Sequence, residues 1–149
     1  MRSAIVTRPI DTAALLGEVA APANGATVLF TGAVRELSDG RAVSGIDYDA
    51  YETMAAEELA RIVSETAQRY DTEHVVAEHR IGSLQLGEIS VAIAVGHRHR
   101  GPAFDAARHV IEEIKLRLPI WKQELFTDGT RAWVDARATA HANVDEQLP

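Results

Sequence analysis

The chain contains no cysteine. Disulfides, thiolate-bound metals and a cysteine nucleophile are therefore all excluded. No apolar run approaches the roughly 20 residues that a membrane-crossing helix needs. The N-terminus, Met1-Arg2-Ser3-Ala4-Ile5-Val6, is charged and then strand-like, without the hydrophobic stretch of a secretion signal. A cytoplasmic location is the expectation. There is no G-x-x-x-x-G-K-S/T loop, no G-x-G-x-x-G, no G-x-S-x-G and no H-E-x-x-H. Internal repeats, linkers and low-complexity tracts are also missing. Positive charge is scarce: 15 Lys and Arg against 22 Asp and Glu give a formal net charge of −7. That balance argues against a general nucleic-acid binder.

What is present is a chain of 149 residues, 46% of them hydrophobic. This is the size of one ordinary domain, residues 1–149, in which roughly 70% of the unfolded surface can be buried. The few cations are clustered. His97-Arg98-His99-Arg100 stands in an acidic chain, with His79-Arg80 before it. A local cationic site on an acidic protein points to a small anion as ligand.

The apolar periodicity gives the order β-α-β-β-α-β-β-α-β-β. Residues 4–7 read as a strand, and Asp11 can cap a helix running to about Val19. Residues 27–35 and 43–50 read as strands forming a hairpin around Asp39-Gly40. An amphipathic helix covers 54–70, with Leu59, Ile62, Val63, Ala67 and Tyr70 on one stripe. Strands follow at 75–81 and 89–97, and the second, apolar on both faces, belongs at the centre of a sheet. Pro102 suits the first turn of a helix that Pro119 ends, with Phe104, Ala107, Ile111, Ile114 and Leu118 as its apolar stripe. Residues 120–127 and 131–136 flank the hairpin signal Asp128-Gly129, and a polar tail begins near 138. Short strand–strand connections favour an α+β domain with a mixed or antiparallel sheet and helices on one face.

Four places can carry chemistry. At about 100° per residue, Lys115 falls about 20° from Phe104, beside the apolar stripe instead of opposite it. Its stem either snorkels to water or its ammonium is partly desolvated, with a depressed pKa suited to proton transfer. Lys122 follows Trp121 and alternates with Ile120 and Glu124; it faces solvent or lines a pocket. His97 and His99 share a strand face and could be a metal pair, although the arginines between and after them repel a cation. His99-Arg100 lead into a helix N-terminus, where amides, the dipole and an arginine fork suit a phosphate; the alternative is a solvated basic turn. Arg35 ends Phe30-Thr31-Gly32-Ala33-Val34-Arg35, where Gly32 permits close backbone approach.

Six segments occur in an order that resembles a known family: Phe30-Thr31-Gly32-Ala33-Val34-Arg35, Tyr51-Glu52-Thr53-Met54-Ala55, His79-Arg80-Ile81-Gly82, Gly87-Glu88, His99-Arg100-Gly101-Pro102-Ala103-Phe104 and Leu118-Pro119-Ile120-Trp121-Lys122-Gln123-Glu124. They resemble the catalytic, large subunits of molybdopterin synthase, the MoaE family, from about residue 26 to 136. The resemblance implies an α/β-hammerhead fold and a homodimer within a heterotetramer. Its small partner is a ubiquitin-like sulfur carrier of the MoaD type, with a C-terminal Gly-Gly whose last residue bears a thiocarboxylate. Sulfur would pass from it to cyclic pyranopterin monophosphate, giving the dithiolene of molybdopterin. No permanently bound cofactor and no metal are implied, and the missing cysteine fits, since the sulfur arrives on the partner.

By the same resemblance Lys115 and Lys122 match the family's active-site lysines. Ala33, Val34 and Arg35 match a substrate-contacting segment, and His99 and Arg100 a pair for the pterin phosphate. Gln123 and Glu124 continue the Lys122 segment. One departure is His97-Arg98, where the family has small residues before the His-Arg pair. Two other readings compete: a metallohydrolase built on His97, His99 and His79, and a non-catalytic adaptor that recruits a ubiquitin-like protein.

Overall fold

The computed structural model describes residues 1–135; the polar tail expected from 138 lies outside the described residues. The elements run β1 (Arg2–Val6), α1 (Thr12–Val19), β2 (Ala26–Ala33), β3 (Leu37–Ser38), β4 (Arg41–Ala50), α2 (Glu52–Arg69), β5 (Val75–Arg80), β6 (Gly82–Gln85), β7 (Ile89–His97), α3 (Arg100–Arg117), β8 (Ile120–Phe126) and β9 (Arg131–Asp135). They build two sheets. The first has the order β1-β5-β7-β2; in the second, β3-β4-β8-β9 are joined by β6 on β4. The fold is α+β, as expected. No helix among the described residues is long and apolar enough to cross a membrane.

β7 is the central strand, antiparallel to both β5 and β2. Its apolar residues on both faces have a direct cause. Val91, Ile93 and Val95 pack under α2 and α3, while Ala92 and Ala94 pack under α1 with Leu15 and Val19. Helices thus cover both faces of the first sheet, not one. The short α1, capped by Asp11 accepting from the Ala14 amide, is the helix its sequence predicts, and it forms the second layer.

The expected hairpin between residues 27–35 and 43–50 does not form. β2 pairs with β7, β4 pairs with β8, and the two lie in different sheets. The Asp39-Gly40 turn instead closes β3 on β4, with Ser38 opposite Arg41. Both turn residues have positive φ, 49° and 77°, as a tight two-residue hairpin requires. A bulge between Gly32 and Ala33 ends the first-sheet pairing, and the chain crosses to the second sheet through Val34 and Arg35. β3 and β6, of two and four residues, are too short to carry a readable period.

On α3 the buried stripe is Ala103, Ala106, Ala107, Val110 and Ile114. Phe104, expected to lead that stripe, is 61% exposed. Alanines let the helix lie close to the sheet, so the bulky neighbour, about 100° around, is turned outward. A different close approach fixes Gly96 on β7. A methyl there would strike the Val19 carbonyl and the Asn24 amide, with the His74 Cβ 3.2 Å away. Gly96→Ala should therefore cost about 1–3 kcal/mol, read from chemical denaturation. Unchanged stability would show that α1 has room to move away.

Candidate functional site

Where the two sheets meet, a cleft of about 250 Å³ opens. Each wall brings its residues by a separate route. β2 delivers Phe30, Gly32 and Ala33, and the bulge turns the chain so that Arg35 reaches the cleft. Gly32 must lack a side chain here, since a Cβ would sit 2.8 Å from Val91 Cγ1. β4 contributes Tyr48, β7 Ser90 and Val91, and the last turns of α3 contribute Ile111 and Lys115. β8 alternates, placing Lys122 and Glu124 in the cleft and Gln123 on the opposite face.

Three cations and one carboxylate therefore share a small concavity. Lys122 Nζ lies 3.3 Å from Glu124 Oε1, and the Glu124 side chain is nearly buried. Arg35 and Lys115 have no ion pair among the described residues, so the cleft keeps excess positive charge. Lys115 is not sunk in the core; it opens into the cleft. It is an exposed residue whose side chain lines the concave cleft wall. Its pKa is lowered from the ordinary 10.5, first by desolvation, then by Lys122 and then by Arg35.

Of the expected site residues, the cleft gathers Ala33, Arg35, Lys115, Lys122 and Glu124. Val34 does not line it. It is buried in the second-sheet core with Val43, Ile46, Leu84 and Phe126, and its amide donates to the Glu88 carbonyl at 3.1 Å. Val34 thereby fixes the segment that carries Arg35. His99 and Arg100 are not in this cleft either. They line a separate basic depression with Gly25, Ala26, Arg98 and Gly101 at the other end of α3. At 1.5 Å of rise per residue the helix puts about 24 Å between His99 and Lys115. In one copy of the chain, Arg35 and the His99-Arg100 pair do not converge.

His97 is engaged elsewhere. It is buried, its Nε2 lies 2.9 Å from the Tyr70 carbonyl oxygen, and its Nδ1 accepts from the His99 amide at 2.9 Å. With both nitrogens used, His97 has no lone pair for a metal. No group of three or more His, Cys, Asp or Glu among the described residues could hold one. Sequence reasoning did not single out Tyr48, Ser90 or Phe30 for the cleft. Ile46, Tyr48 and Ala50 did alternate on one face, but nothing in that pattern marks the face as a cleft wall.

A cleft at a sheet junction, lined by Arg35, Lys115, Lys122 and Glu124 with cations in excess, has the charge and size to suit a small anion in an α+β protein. A family model described as MoaE protein matches residues 5–117. The chain is 39% identical over 129 residues to the molybdopterin synthase catalytic subunit of Aspergillus clavatus, covering 87% of this chain and 65% of that one. It thus spans slightly under two thirds of the length of that relative. Among solved structures, molybdopterin synthase from Staphylococcus aureus superposes with a TM-score of 0.83 at 38% identity, over 88% of this chain and 95% of that one. A protein–protein complex of subunits 1 and 2 of the molybdopterin-converting factor from Helicobacter pylori matches with a TM-score of 0.70 at 26% identity, over 91% of each chain. The chain belongs to the MoaE family.

Proposed function

We propose that this chain is the catalytic subunit of a molybdopterin synthase. It transfers sulfur from the thiocarboxylated C-terminus of a small ubiquitin-like partner to cyclic pyranopterin monophosphate. The observation that carries this reading is the cleft itself, with Arg35, Lys115 and Lys122 converging on one anion-sized space in a protein of net charge −7. The names of its relatives, and the two-subunit Helicobacter pylori complex, support the reaction and the partner. In this reading Lys115 moves the proton, or makes transient covalent contact, as sulfur attacks. Lys122 and Arg35 hold the cyclic phosphate and stabilise the charge that develops as it opens. Sulfur arrives on the partner, so the chemistry asks for no thiol on this chain. The decisive experiment is incubation with thiocarboxylated partner and pterin precursor, followed by product detection. Partner binding with no product would favour the adaptor reading instead.

The separation of His99-Arg100 from Lys115 constrains the assembly. If both belong to one phosphate site, the pair comes from a second copy of the chain, and the homodimer is required for activity. Arg100→Ala should then weaken precursor binding by about 1.5–3 kcal/mol, the scale of a hydrogen bond to a charged group. The loss should shrink at high salt if the site is open. Mixing Arg100→Ala with Lys115→Ala protein should restore part of the activity that each lacks alone, because some mixed dimers hold one intact site. Absence of complementation, together with a strictly monomeric protein in ultracentrifugation, would remove His99 and Arg100 from the site.

A further inference from the structure

Behind the cleft wall lies a ring to which the sulfur-transfer reading gives no role. His79, at the end of β5, is only 4% exposed. Its backbone pairs with Val91, which lines the cleft. Its ring meets Tyr48 edge-on, with centroids 5.4 Å apart and planes at 74°. Tyr48 faces Lys122 directly across the β4–β8 ladder, and both line the cleft. His79 Nδ1 lies 2.9 Å from the Arg80 carbonyl oxygen. A carbonyl only accepts, so Nδ1 carries the proton and the ring plane is pinned.

An apolar side chain would fill this buried place without the desolvation cost of an imidazole. The one hydrogen bond runs to the neighbouring residue's carbonyl and ties no distant elements together. What the ring reaches across the sheet junction is Tyr48, by an aromatic contact of the edge-to-face kind. We propose that His79 is a positioning residue, whose pinned ring holds Tyr48 beside Lys122 and so sets the space in which Lys122 meets the substrate's phosphate and Lys115 its reacting atoms. This rests on the sulfur-transfer reading. The groups that face Lys115 across the cleft are Arg35 from the β2–β3 crossing, Tyr48 from β4, and Lys122 and Glu124 from β8, with His79 from β5 behind them. If Tyr48 swings away, water enters and the lowered pKa of Lys115 relaxes toward the ordinary value.

The test is a double-mutant cycle. His79→Asn keeps a donor near the Nδ1 position but removes the ring; Tyr48→Ala removes the other half of the contact. Each should raise KM for the pterin precursor about 5–10-fold, with kcat lowered at neutral pH and little changed once the pH is high enough to deprotonate Lys115. The double variant should be no worse than either alone, as expected for partners in one contact. His79→Phe, which keeps a ring, should restore KM to within about 2-fold of wild type. Should His79→Asn not fold, His79→Leu takes its place, with the same expectation. NMR titration of the Lys115 side chain in the intact protein gives an activity-free readout, in which both ring-removing variants should move its midpoint upward by equal amounts. Additive KM effects, or an unmoved Lys115 midpoint, would overturn the proposal. A wild-type protein that makes no product, while the Lys115 midpoint still responds, would sink the sulfur-transfer reading and leave the positioning role standing.

Discussion

Lys115→Ala should abolish sulfur transfer, a loss of at least about 10²-fold on the usual scale for a positioned acid or base, while fold and partner binding persist. Lys115 lies at the end of α3 and opens into the cleft, so its removal leaves the buried stripe of that helix intact. Its pKa is depressed by desolvation and by the like charges of Lys122 and Arg35. The neutral amine is therefore available at lower pH than an ordinary lysine allows. In the wild type the rate should rise with pH through a midpoint below 10.5. Lys115→Arg separates chemistry from charge. Guanidinium preserves the positive charge yet keeps its proton at any working pH, so this variant should fail almost as completely as alanine. Near wild-type turnover by Lys115→Arg with thiocarboxylated partner would reduce Lys115 to an electrostatic clamp.

The angular argument places Lys115 beside the apolar stripe only because Phe104 is its reference, and Phe104 is 61% exposed. The true stripe is centred on Ala103, Ala107, Val110 and Ile114. Lys115, one position on from Ile114 and so about 100° around, falls on the exposed side with Phe104; it reaches the cleft one turn beyond Ile111, which also lines it. Alanine carries a weak hydrophobic signal, and a run of alanines under a close-packed helix is easily outweighed on paper by one phenylalanine. Lys122 and Glu124 were legible for a simpler reason, since strand alternation needs only one face to be assigned. The same rule put Gln123 on the far face, which a motif read as a continuous string could not show.

The pairing of strands was the least legible part. Both segments around Asp39-Gly40 read as strands, and the turn residues were right, yet β2 leaves for β7. Local pattern fixes a strand's faces but not its partner; β2 runs along β7 from Ala26, and the bulge at Gly32-Ala33 comes only at the end of that pairing. The same crossing carries Arg35 into the cleft, so the feature hidden from a local reading is the one that assembles the site. His99 and Arg100 show the converse limit. Their type and spacing suit an anion, and the sequence already sets them at the start of the helix that carries Lys115 near its end; the motif match nonetheless draws both into one site, which a single copy of α3 keeps apart.

Acid should destabilise this protein well before its carboxylates titrate, and His79 should be the cause. Burial lowers the His79 pKa from 6.5 to about 4, against the hydrogen bond to the Arg80 carbonyl and with a small further push from Lys115. In the unfolded chain the imidazole binds a proton as pH falls through 6.5; in the folded protein it does not until about 4. Between those values the unfolded state holds more protons, so folding stability falls as pH falls, and above 6.5 the group contributes no slope. At 1.36 kcal/mol per pKa unit the whole window is worth about 3 kcal/mol. Glu18, Glu58 and Glu65 have carboxyls held below 4.5 by arginines. Their losses come at lower pH, so the interval from about 4.5 to 6.5 reads the histidines, and comparison with His79→Phe separates His79 from the others, the buried His97 among them. His79→Phe keeps a ring against Tyr48 and removes the titrating group. Denaturation curves at pH 7, 6, 5 and 4.5 should show a steep decline for the wild type and a much flatter one for the variant. Parallel declines would mean that His79 is charged in the folded protein or that another group controls its acid stability, and the buried neutral ring behind the cleft would have to be given up.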